Sequence, residues 1–366
     1  ACRICVVQVK GARSLMASCV YPVSEGMEVV THSPEVIKSR KQTLELILST
    51  HDKKCLSCVR NQTCELQRLC KEYGVDEDRY QGEREEYPQD VSSLSLVRDN
   101  NKCIICRRCE AVCRAHQDVA VIGANSRGFK THIGCAFEND MADMPCVGCG
   151  QCIVACPTGA LRERDDTDEV FKALQDENKI VVAGVAPSIR VTLGEAFGMA
   201  PGTDVTGKMV AALRRLGFNK VFDVNFTADL TIMEEGTELL ERLEKGGPLP
   251  LITSCSPGWV KYCEHYYPDM LPHVSSCKSP QQMFGAVAKT YYAEKLGVKP
   301  SDIFVVGIMP CTAKKFEAKR ENQAAAGVPD VDVSLTTREL ARMIKLSGID
   351  FVNLDNPEFD TPFGVG

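Results

Sequence analysis

The chain has 366 residues, enough for about two to four domains, and 44% of them are apolar and 25% charged. The 43 basic and 49 acidic residues give a formal net charge of −6, which argues against a nucleic-acid-binding protein. No apolar run approaches the roughly 18 residues that cross a bilayer, and no basic-then-apolar leader follows Ala1. We therefore predict a cytoplasmic protein without a membrane span.

The predicted elements change in character along the chain. Residues 1–30 have the short apolar runs and turn residues of strands, and residues 34–50 form a predicted helix that ends at His51. The charged residues 71–95 indicate a solvated connection. In the second half of the chain, strands alternate with helices, which predicts a parallel sheet covered by helices. The predicted strands are 180–185, 221–224, 249–253 and 303–308, and the predicted helices are 206–217, 229–245, 279–296 and 336–347.

The 20 cysteines are the most informative feature of the composition. Sixteen of them lie within residues 1–156 and four within residues 157–366, and this shift predicts a domain boundary. Many form Cys-x2-Cys pairs, whose members are too close together to suit a disulfide with each other. Such pairs suit a shared metal ion or iron–sulfur cluster.

Two cysteine runs have the spacing Cys-x2-Cys-x2-Cys-x3-Cys, and the second run continues into proline. This is the pattern of two-cluster bacterial ferredoxins, in which the fourth cysteine of each run binds the cluster of the other run. Zinc sites do not usually take the form of two such crossed runs. The predicted ligands of one [4Fe–4S] cluster are Cys103, Cys106, Cys109 and Cys156, and those of the other are Cys146, Cys149, Cys152 and Cys113.

A third set has the spacing His51-x3-Cys55-x2-Cys58-x5-Cys64, which provides one imidazole and three thiols. By spacing alone, zinc and a [4Fe–4S] cluster both fit this set. Its place beside two ferredoxin runs favours the cluster. Cys70 follows soon after and is predicted to be structural.

The remaining cysteines fall into two groups. Cys2, Cys5 and Cys19 supply three of the four ligands that a plant-type [2Fe–2S] cluster needs. Because the chain opens one residue before Cys2, we expect the fourth ligand upstream of it. Of the others, Cys255 and Cys311 each follow a predicted strand, and ligands bind at the carboxyl ends of parallel strands, so both are predicted site residues.

Taken along its whole length, the chain resembles the [FeFe]-hydrogenases. The resemblance rests on the cysteine sets above and on two segments typical of the family's active site, at residues 253–259 and 309–317. Shorter stretches at 185–188, 228–238 and 275–282 are also similar. The Met-Pro-Cys-x-x-Lys-Lys pattern in the second segment is highly specific, whereas many redox proteins contain ferredoxin runs.

The resemblance implies a multidomain protein of α+β and α/β class. Its parts would be a partial plant-type [2Fe–2S] domain, a domain with a histidine-ligated [4Fe–4S] cluster, a bacterial ferredoxin-like domain with two [4Fe–4S] clusters, and the start of a parallel-sheet hydrogenase domain. Their predicted limits are residues 1–30, 31–95, 96–175 and 176–366.

The family's reaction is 2H⁺ + 2e⁻ ⇌ H₂. It takes place at the H-cluster, a [4Fe–4S] cubane joined by a cysteine to a two-iron unit that carries CO, CN⁻ and a bridging dithiolate amine. The resemblance implies that Cys311 ligates the cubane and that Lys314 donates to a cyanide. The residues expected to line the two-iron unit are Ala186, Pro187, Ser188, Gln281 and Met309, with Ser188 as a further donor.

Glu235, Glu238 and Arg242 are spaced at i, i+3 and i+7, which places them on one face of a predicted helix. Taken alone, such a trio is typical of a solvated face. The resemblance instead implies a proton path with Arg242 and Glu238 at the surface and with Glu235, Ser275 and Cys255 further inward. Groups that exchange protons in this way must lie within hydrogen-bond reach or one water apart.

Two departures from the family pattern concern the cubane ligands. The family usually has two adjacent cysteines, a proton donor and then a ligand, where this chain has Cys255 and Ser256. A serine oxygen is a poor substitute for a thiolate, so either Ser256 ligates weakly or Cys255 takes over as the ligand. The family's third signature would lie beyond Gly366, so we expect both ends of the chain, and its set of cubane ligands, to be incomplete.

Two alternatives stay open from the sequence. One is an electron-transfer subunit similar to the large iron–sulfur subunit of NADH dehydrogenase, and the other is a hydrogen-sensing relative. For the hydrogenase, the expected partners are H₂, protons, ferredoxin, and redox subunits that bind flavin, NAD(P) or a [2Fe–2S] cluster. A multisubunit NAD(P)-linked or electron-bifurcating enzyme would be of this kind.

Overall fold

The computed structural model describes residues 2–363. The chain separates into two compact units. The first comprises the described residues up to Cys146 and Gly150–Glu163, and the second comprises Val147–Cys149 and the described residues from Arg164 onward. Within residues 2–363, no helix is both long enough and apolar enough to cross a membrane.

The first unit consists of small antiparallel sheets and short helices around cysteine-bearing loops. Its strands are β1 (Val6–Val9), β2 (Met16–Ala17), β3 (Val29–Val30), β4 (Leu96–Arg98), β5 (Gly123–Asn125), β6 (His132–Gly134) and β7 (Leu161–Glu163). Its helices are α1 (Pro34–Thr50), α2 (Glu65–Glu72), α3 (Arg108–Ala111) and α4 (Gln151–Ala155), with a π-helical turn at Val112–His116. The strand orders are β2-β1-β3, β4-β7 and β5-β6.

Helix α1 confirms the helix predicted at this place. The Ser33 side chain accepts a hydrogen bond from a backbone N–H of the first turn, and Pro34 occupies a position where its missing N–H costs nothing. Leu44 and Leu48 are buried on the face that packs against α2. The helix ends at His51, and the cysteine-bearing loop follows it in the chain.

The second unit is built on a four-stranded parallel sheet with the order β11-β10-β8-β9. Its strands are β8 (Ile180–Val185), β9 (Lys220–Asp223), β10 (Ile303–Met309) and β11 (Val333–Thr336). Its helices are α5 (Thr167–Gln175), α6 (Ile189–Thr192), α7 (Thr206–Leu216), α8 (Asn225–Lys245), α9 (Pro257–Tyr266), α10 (Pro280–Val287), α11 (Ala293–Leu296), α12 (Ala313–Glu317) and α13 (Thr337–Leu346).

The centre of this sheet is buried on both faces. Strands β8 and β10 are nearly continuous runs of buried apolar residues, which is typical of central strands in a parallel sheet. Phe284 of α10 is fully buried and packs directly over Gly184 of β8, where a larger residue would not fit. Each such aromatic side chain contributes about 1.5–3 kcal/mol through burial. The sheet therefore provides a rigid base for the loops at its carboxyl edge.

The strand predicted at residues 249–253 is wrong. Pro250 has no N–H to donate to a sheet, and only Ile252 forms a bridge, in parallel orientation, with Val274. Cys255 consequently follows an extended segment outside the main sheet. The other predicted strands and helices are present with ends shifted by a few residues, and a π-helical turn joins α10 to α11.

Gly184 tests the packing of the sheet. Gly184→Ala would place a Cβ atom 2.6 Å from the Phe284 ring in a fully buried layer. We expect the free energy of unfolding to fall by about 1–3 kcal/mol, as is typical of overpacked cores. The measurement is the denaturant midpoint of the purified protein at constant cluster content.

Gly236 of α8 offers the matched control, because it is exposed and no atom lies within 4 Å of an added Cβ. Gly236→Ala should raise the free energy of unfolding by about 0.5–1 kcal/mol, because alanine is the better helix former. Equal midpoints for the two variants would contradict the packing described here.

Candidate functional site

The three N-terminal thiols lie around one cavity in the first unit. Cys2, Cys5 and Cys19 line a space of about 420 Å³. The Sγ atoms of Cys5 and Cys19 are 3.3 Å apart, and this contact raises the pKa of Cys19. Ser18 holds the turn in place by donating its backbone N–H and its hydroxyl to the Cys5 carbonyl, at 3.2 and 2.9 Å. The structure thus brings the three predicted [2Fe–2S] ligands together.

The histidine and its three cysteines line a second cavity of about 160 Å³. This volume is several times the roughly 30 Å³ that one water occupies in the liquid. The Nδ1 atom of His51 is buried without a hydrogen-bond partner. Burial lowers the pKa of His51 to about 4, so the ring is neutral at pH 7, which is the form that binds metals. The residues fit a cluster ligated by His51, Cys55, Cys58 and Cys64.

Cys103, Cys106, Cys109 and Cys156 line a third, smaller cavity. Burial and the neighbouring thiols raise the pKa of Cys103 to about 11 and that of Cys109 to about 12. The structure therefore places the fourth thiol of the second run, and not Cys113 of the first run, on this cavity. That is the arrangement of the crossed ligand pattern.

The other predicted ferredoxin set is divided between the two units. Cys113, Cys146 and Cys152 belong to the first unit and Cys149 to the second. Cys113 is buried in the π-helical turn, and Cys152 is buried in α4. The glycines on either side of Cys149 have φ values of 67° and 73°, so the backbone turns sharply at this ligand.

The three cavities of the first unit share one short segment, residues 156–159. Pro157 lines both the first and the third cavity, and Cys106 also lines both. Gly159 lines the second cavity, where an added Cβ would lie 2.5 Å from the Cys58 Sγ atom. Arg60 donates to the Cys156 carbonyl at 3.2 Å. The predicted cluster sites are therefore direct neighbours.

In the second unit, two predicted segments meet at the carboxyl edge of the sheet. Ala186, Pro187 and Ser188 follow β8, and Met309 ends β10 two residues before Cys311. The two strands are adjacent and parallel, so both segments leave the same edge. The Ala186 N–H donates to a carbonyl of β10 at 3.0 Å, which holds the edge together.

Lys314 joins the two segments typical of the active site. Its ammonium donates to the Cys255 carbonyl at 2.9 Å and to Glu317 Oε2 at 2.9 Å. A lysine ammonium has three N–H donors, so one remains for a further acceptor. Glu317 is buried and also accepts from Ser279 at 2.9 Å and from Gln281 at 3.0 Å.

Gln281 is held rigidly at the first turn of α10. Its side-chain N–H₂ donates to Glu317, and its Oε1 accepts from the Ser334 hydroxyl at 3.0 Å. The side chain is almost fully buried and lies against Gly307 of β10, where a Cβ would approach Oε1 to 2.6 Å. The close approach needs glycine at this position of the strand.

The carboxylates of α8 have different partners. Glu238 pairs with Arg242 at 2.6 Å and accepts from Ser275 at 2.9 Å. Burial alone would raise the pKa of Glu238, but the bonds from Arg242, Ser275 and the Ser276 backbone outweigh it and lower the pKa. Glu235 accepts from the Thr253 hydroxyl at 2.9 Å. The structure thus confirms the shared helix face and places Ser275 beside Glu238.

Cys255 and Ser256 are both exposed. Ser256 lies at the N-cap of α9, and its carbonyl accepts from the Val260 N–H at 3.0 Å. The Cys255 carbonyl is the acceptor for Lys314. These contacts fix the backbone of the segment and leave both the thiol and the hydroxyl accessible.

Sequence reasoning missed the residues that hold the site in place. Glu317 and Thr253 lie inside the family-like segments, but their roles depend on partners distant in the chain. Lys315 is buried and binds Asp166 at 2.7 Å and Glu339 at 2.8 Å. The local signal was the pair of adjacent lysines in α12, shortly after the buried strand β10.

Known protein families match successive parts of the chain, in the same order as the motifs found in its sequence. The C-terminal domain of the iron only hydrogenase large subunit matches residues 179–366, just over half of the chain. A 2Fe-2S iron-sulfur cluster binding domain matches residues 1–34, the NADH-ubiquinone oxidoreductase-G iron-sulfur binding region matches 40–79, and a 4Fe-4S binding domain matches 145–162.

Several curated relatives and solved structures are similar. The chain is 51% identical, over all of its length, to NADP-reducing hydrogenase subunit HndD of Solidesulfovibrio fructosivorans. It is 43% identical, over 99% of its length, to iron hydrogenase 1 of Clostridium pasteurianum. The chain spans 63% of the length of each of these relatives. A solved structure of apo [FeFe]-hydrogenase HydA1 from Chlamydomonas reinhardtii matches with a TM-score of 0.52 and 46% identity, covering 56% of this chain and 53% of that one.

The family matches agree with the folds of the two units. The chain carries [2Fe–2S] and [4Fe–4S] binding domains followed by a hydrogenase domain on a parallel sheet. It belongs to the iron-only hydrogenase large subunit family.

Proposed function

We propose that this chain is part of the catalytic subunit of an iron-only hydrogenase, which interconverts protons and H₂ with electrons relayed through iron–sulfur clusters. The observation that carries the proposal is the bond from Lys314 to the Cys255 carbonyl, which joins the two segments typical of the active site. The family match over residues 179–366 supports it.

The proposed electron chain consists of one [2Fe–2S] and three [4Fe–4S] clusters in three consecutive parts, at residues 1–30, 31–95 and 96–175, and it leads to the catalytic part at residues 176–366. In the first unit, each of three cavities is lined by the members of one predicted ligand set. This supports the sets that begin at Cys2, at His51 and at Cys103. Thiol groups with raised pKa values release protons when they bind a cluster, so cluster binding and folding are linked.

The H-cluster, when bound, supplies the redox-active metals at which protons and electrons combine. In our proposal, Cys311 ligates it, and the free N–H of Lys314 donates to one of its anionic groups. Met309, Gln281 and the segment Ala186–Pro187–Ser188 form the wall around it. Glu317 keeps Lys314 and Gln281 in place and compensates the lysine charge in a buried setting.

The proposed proton path runs along α8. Glu238 receives protons near the surface, where Arg242 holds its carboxylate in place, and the Ser275 hydroxyl lies next to Glu238. Glu235 then hands protons toward Cys255. The bond between Glu235 and Thr253, two residues before Cys255, supports this last step, because it holds the carboxylate beside the segment that carries the thiol.

The pair Cys255 and Ser256 stands where the family has a proton donor followed by a ligand of the cubane. We propose that Cys255 keeps the proton-donor role and that Ser256 faces the cubane at the family's ligand position. The exposed hydroxyl at the N-cap of α9 supports this arrangement, since the backbone is held while the side chain is left accessible. A hard oxygen ligand would bind the cubane more weakly than a thiolate.

The proposed partners are redox subunits that bind flavin, NAD(P) or a [2Fe–2S] cluster, or a ferredoxin. The relative HndD is named a subunit of an NADP-reducing hydrogenase, and residues 40–79 match an iron–sulfur region of NADH-ubiquinone oxidoreductase. The free thiols of Cys103, Cys109 and Cys156 suit the reducing cytoplasm in which we place the subunit.

Infrared spectroscopy and H₂ evolution by the full-length subunit test the proposed function. We expect bands of iron-bound CO and CN⁻ together with H₂ evolution from a reduced dye. Metal analysis in the same preparation should show iron and no stoichiometric zinc at the His51 set. A fully cluster-loaded protein with neither the bands nor H₂ evolution would contradict the proposal and favour an electron-transfer subunit.

The crossed ligand pattern is tested by pairs of cysteine variants. Cys103→Ser and Cys156→Ser should alter the same EPR signal, because both thiols line one cavity. Cys113→Ser and Cys146→Ser should alter the other ferredoxin-type signal. Pairing of Cys103 with Cys113 in such spectra would show that the runs are not crossed.

Glu235→Gln tests the proton path, because it preserves the shape of the side chain and removes the exchangeable proton. We expect H₂ evolution to fall by about 10²–10⁴-fold, as is typical when an acid–base group is removed, while the infrared bands remain. Glu241→Gln is the control, since Glu241 lies on the same helix and is a solvated partner of Lys245. Near-wild-type turnover of Glu235→Gln with a full cofactor would show that protons take another route.

A further inference from the structure

The segment Val147–Cys149 contains a predicted cluster ligand and packs within the second unit. Val147 and Gly148 are buried. The Gly148 carbonyl accepts a hydrogen bond from the Thr312 hydroxyl at 2.6 Å, and this bond is buried. Thr312 directly follows Cys311, the proposed ligand of the catalytic cubane.

A second contact lies beside the first. Gly258, in the first turn of α9, is close to the same segment, because an added Cβ would be 3.5 Å from the Val147 carbonyl oxygen. The same Cβ would be 3.8 Å from Ala313, the residue after Thr312. The ligand-bearing segment therefore contacts both of the segments typical of the active site.

The hydrogen bond completes a short bonded route between two proposed cluster ligands. The route leads from Cys149 through its peptide bond to the Gly148 carbonyl, across the hydrogen bond to the Thr312 side chain, and through one further peptide bond to Cys311. Electrons couple more strongly through bonds than through gaps. Gly148 has a φ of 67°, a left-handed conformation that glycine adopts without the strain that a side chain would add.

We propose that Thr312 is a positioning residue for electron transfer, whose hydroxyl holds the Cys149 segment against Cys311 and so sets the coupling between the ferredoxin-like cluster and the active site. This inference rests on the proposed function. In the direction of H₂ evolution, two electrons pass one at a time from a reduced ferredoxin through this contact and combine with two protons to give H₂. No bond of the protein is formed or broken.

The test compares Thr312→Val with Thr312→Ser in the full-length holoenzyme. Valine keeps the branched shape and removes the donor, while serine keeps the hydroxyl. Two activities are measured, namely H₂ evolution from dithionite-reduced bacterial ferredoxin, which needs electrons from the relay, and exchange between D₂ and H₂O to HD and HOD, which needs none.

Thr312→Val should lower the ratio of ferredoxin-driven evolution to exchange at least several-fold, and Thr312→Ser should restore it. An unchanged ratio in Thr312→Val would overturn the inference. A parallel loss of both activities would overturn it too, because the hydroxyl would then only support the fold of the active site. Absence of exchange and of infrared bands in the unmodified protein would instead overturn the proposed function.

A spectroscopic readout is independent of turnover. In protein that carries its [4Fe–4S] clusters and lacks the two-iron unit, reduction of both the cubane and the cluster of Cys149 should produce a spin–spin interaction in EPR. We expect a weaker interaction in Thr312→Val than in the unmodified protein or in Thr312→Ser. Equal interactions in all three proteins would contradict the positioning role.

Discussion

A buried carboxylate destabilises the folded protein unless it accepts hydrogen bonds or pairs with a cation. The candidate active site is arranged around one such carboxylate. Glu317 accepts hydrogen bonds from Lys314 in α12, from Ser279 at the N-cap of α10 and from Gln281 in the first turn of α10. Through Lys314 the same network reaches the backbone of Cys255. Removal of one partner from such a buried ion pair typically costs about 3–5 kcal/mol, so these segments hold one arrangement.

The parallel sheet makes this network possible. Because β8 and β10 are adjacent and parallel, their carboxyl ends deliver two distant segments of the chain to one edge. Gly184 and Gly307 let Phe284 and Gln281 approach the strands more closely than any larger residue would allow. The sheet thus supplies rigidity, and the loops at its edge supply the chemical groups.

The first unit is organised differently, around cysteine-bearing loops and several small antiparallel sheets. Its cysteine-bearing loops surround three neighbouring cavities, and the short segment 156–159 contributes to each of them. Burial raises the pKa values of Cys103 and Cys109, so the thiols hold their protons until a cluster binds. In the proposed enzyme, cluster binding would therefore contribute to the stability of this unit as well as to electron transfer.

The sequence by itself determined the features that depend on neighbours along the chain. Cysteine spacing predicted the ligand sets, apolar periodicity and the Ser33 cap located α1, and the alternation of strands and helices predicted the parallel sheet. Only the tertiary structure showed that Glu317 links three segments, that Thr253 holds Glu235, and that Thr312 binds Gly148. It also showed that residues 249–253 form no strand of the sheet. These features depend on partners that are far apart in the sequence. Packing selects such partners, and the local periodicity of the sequence does not reveal them.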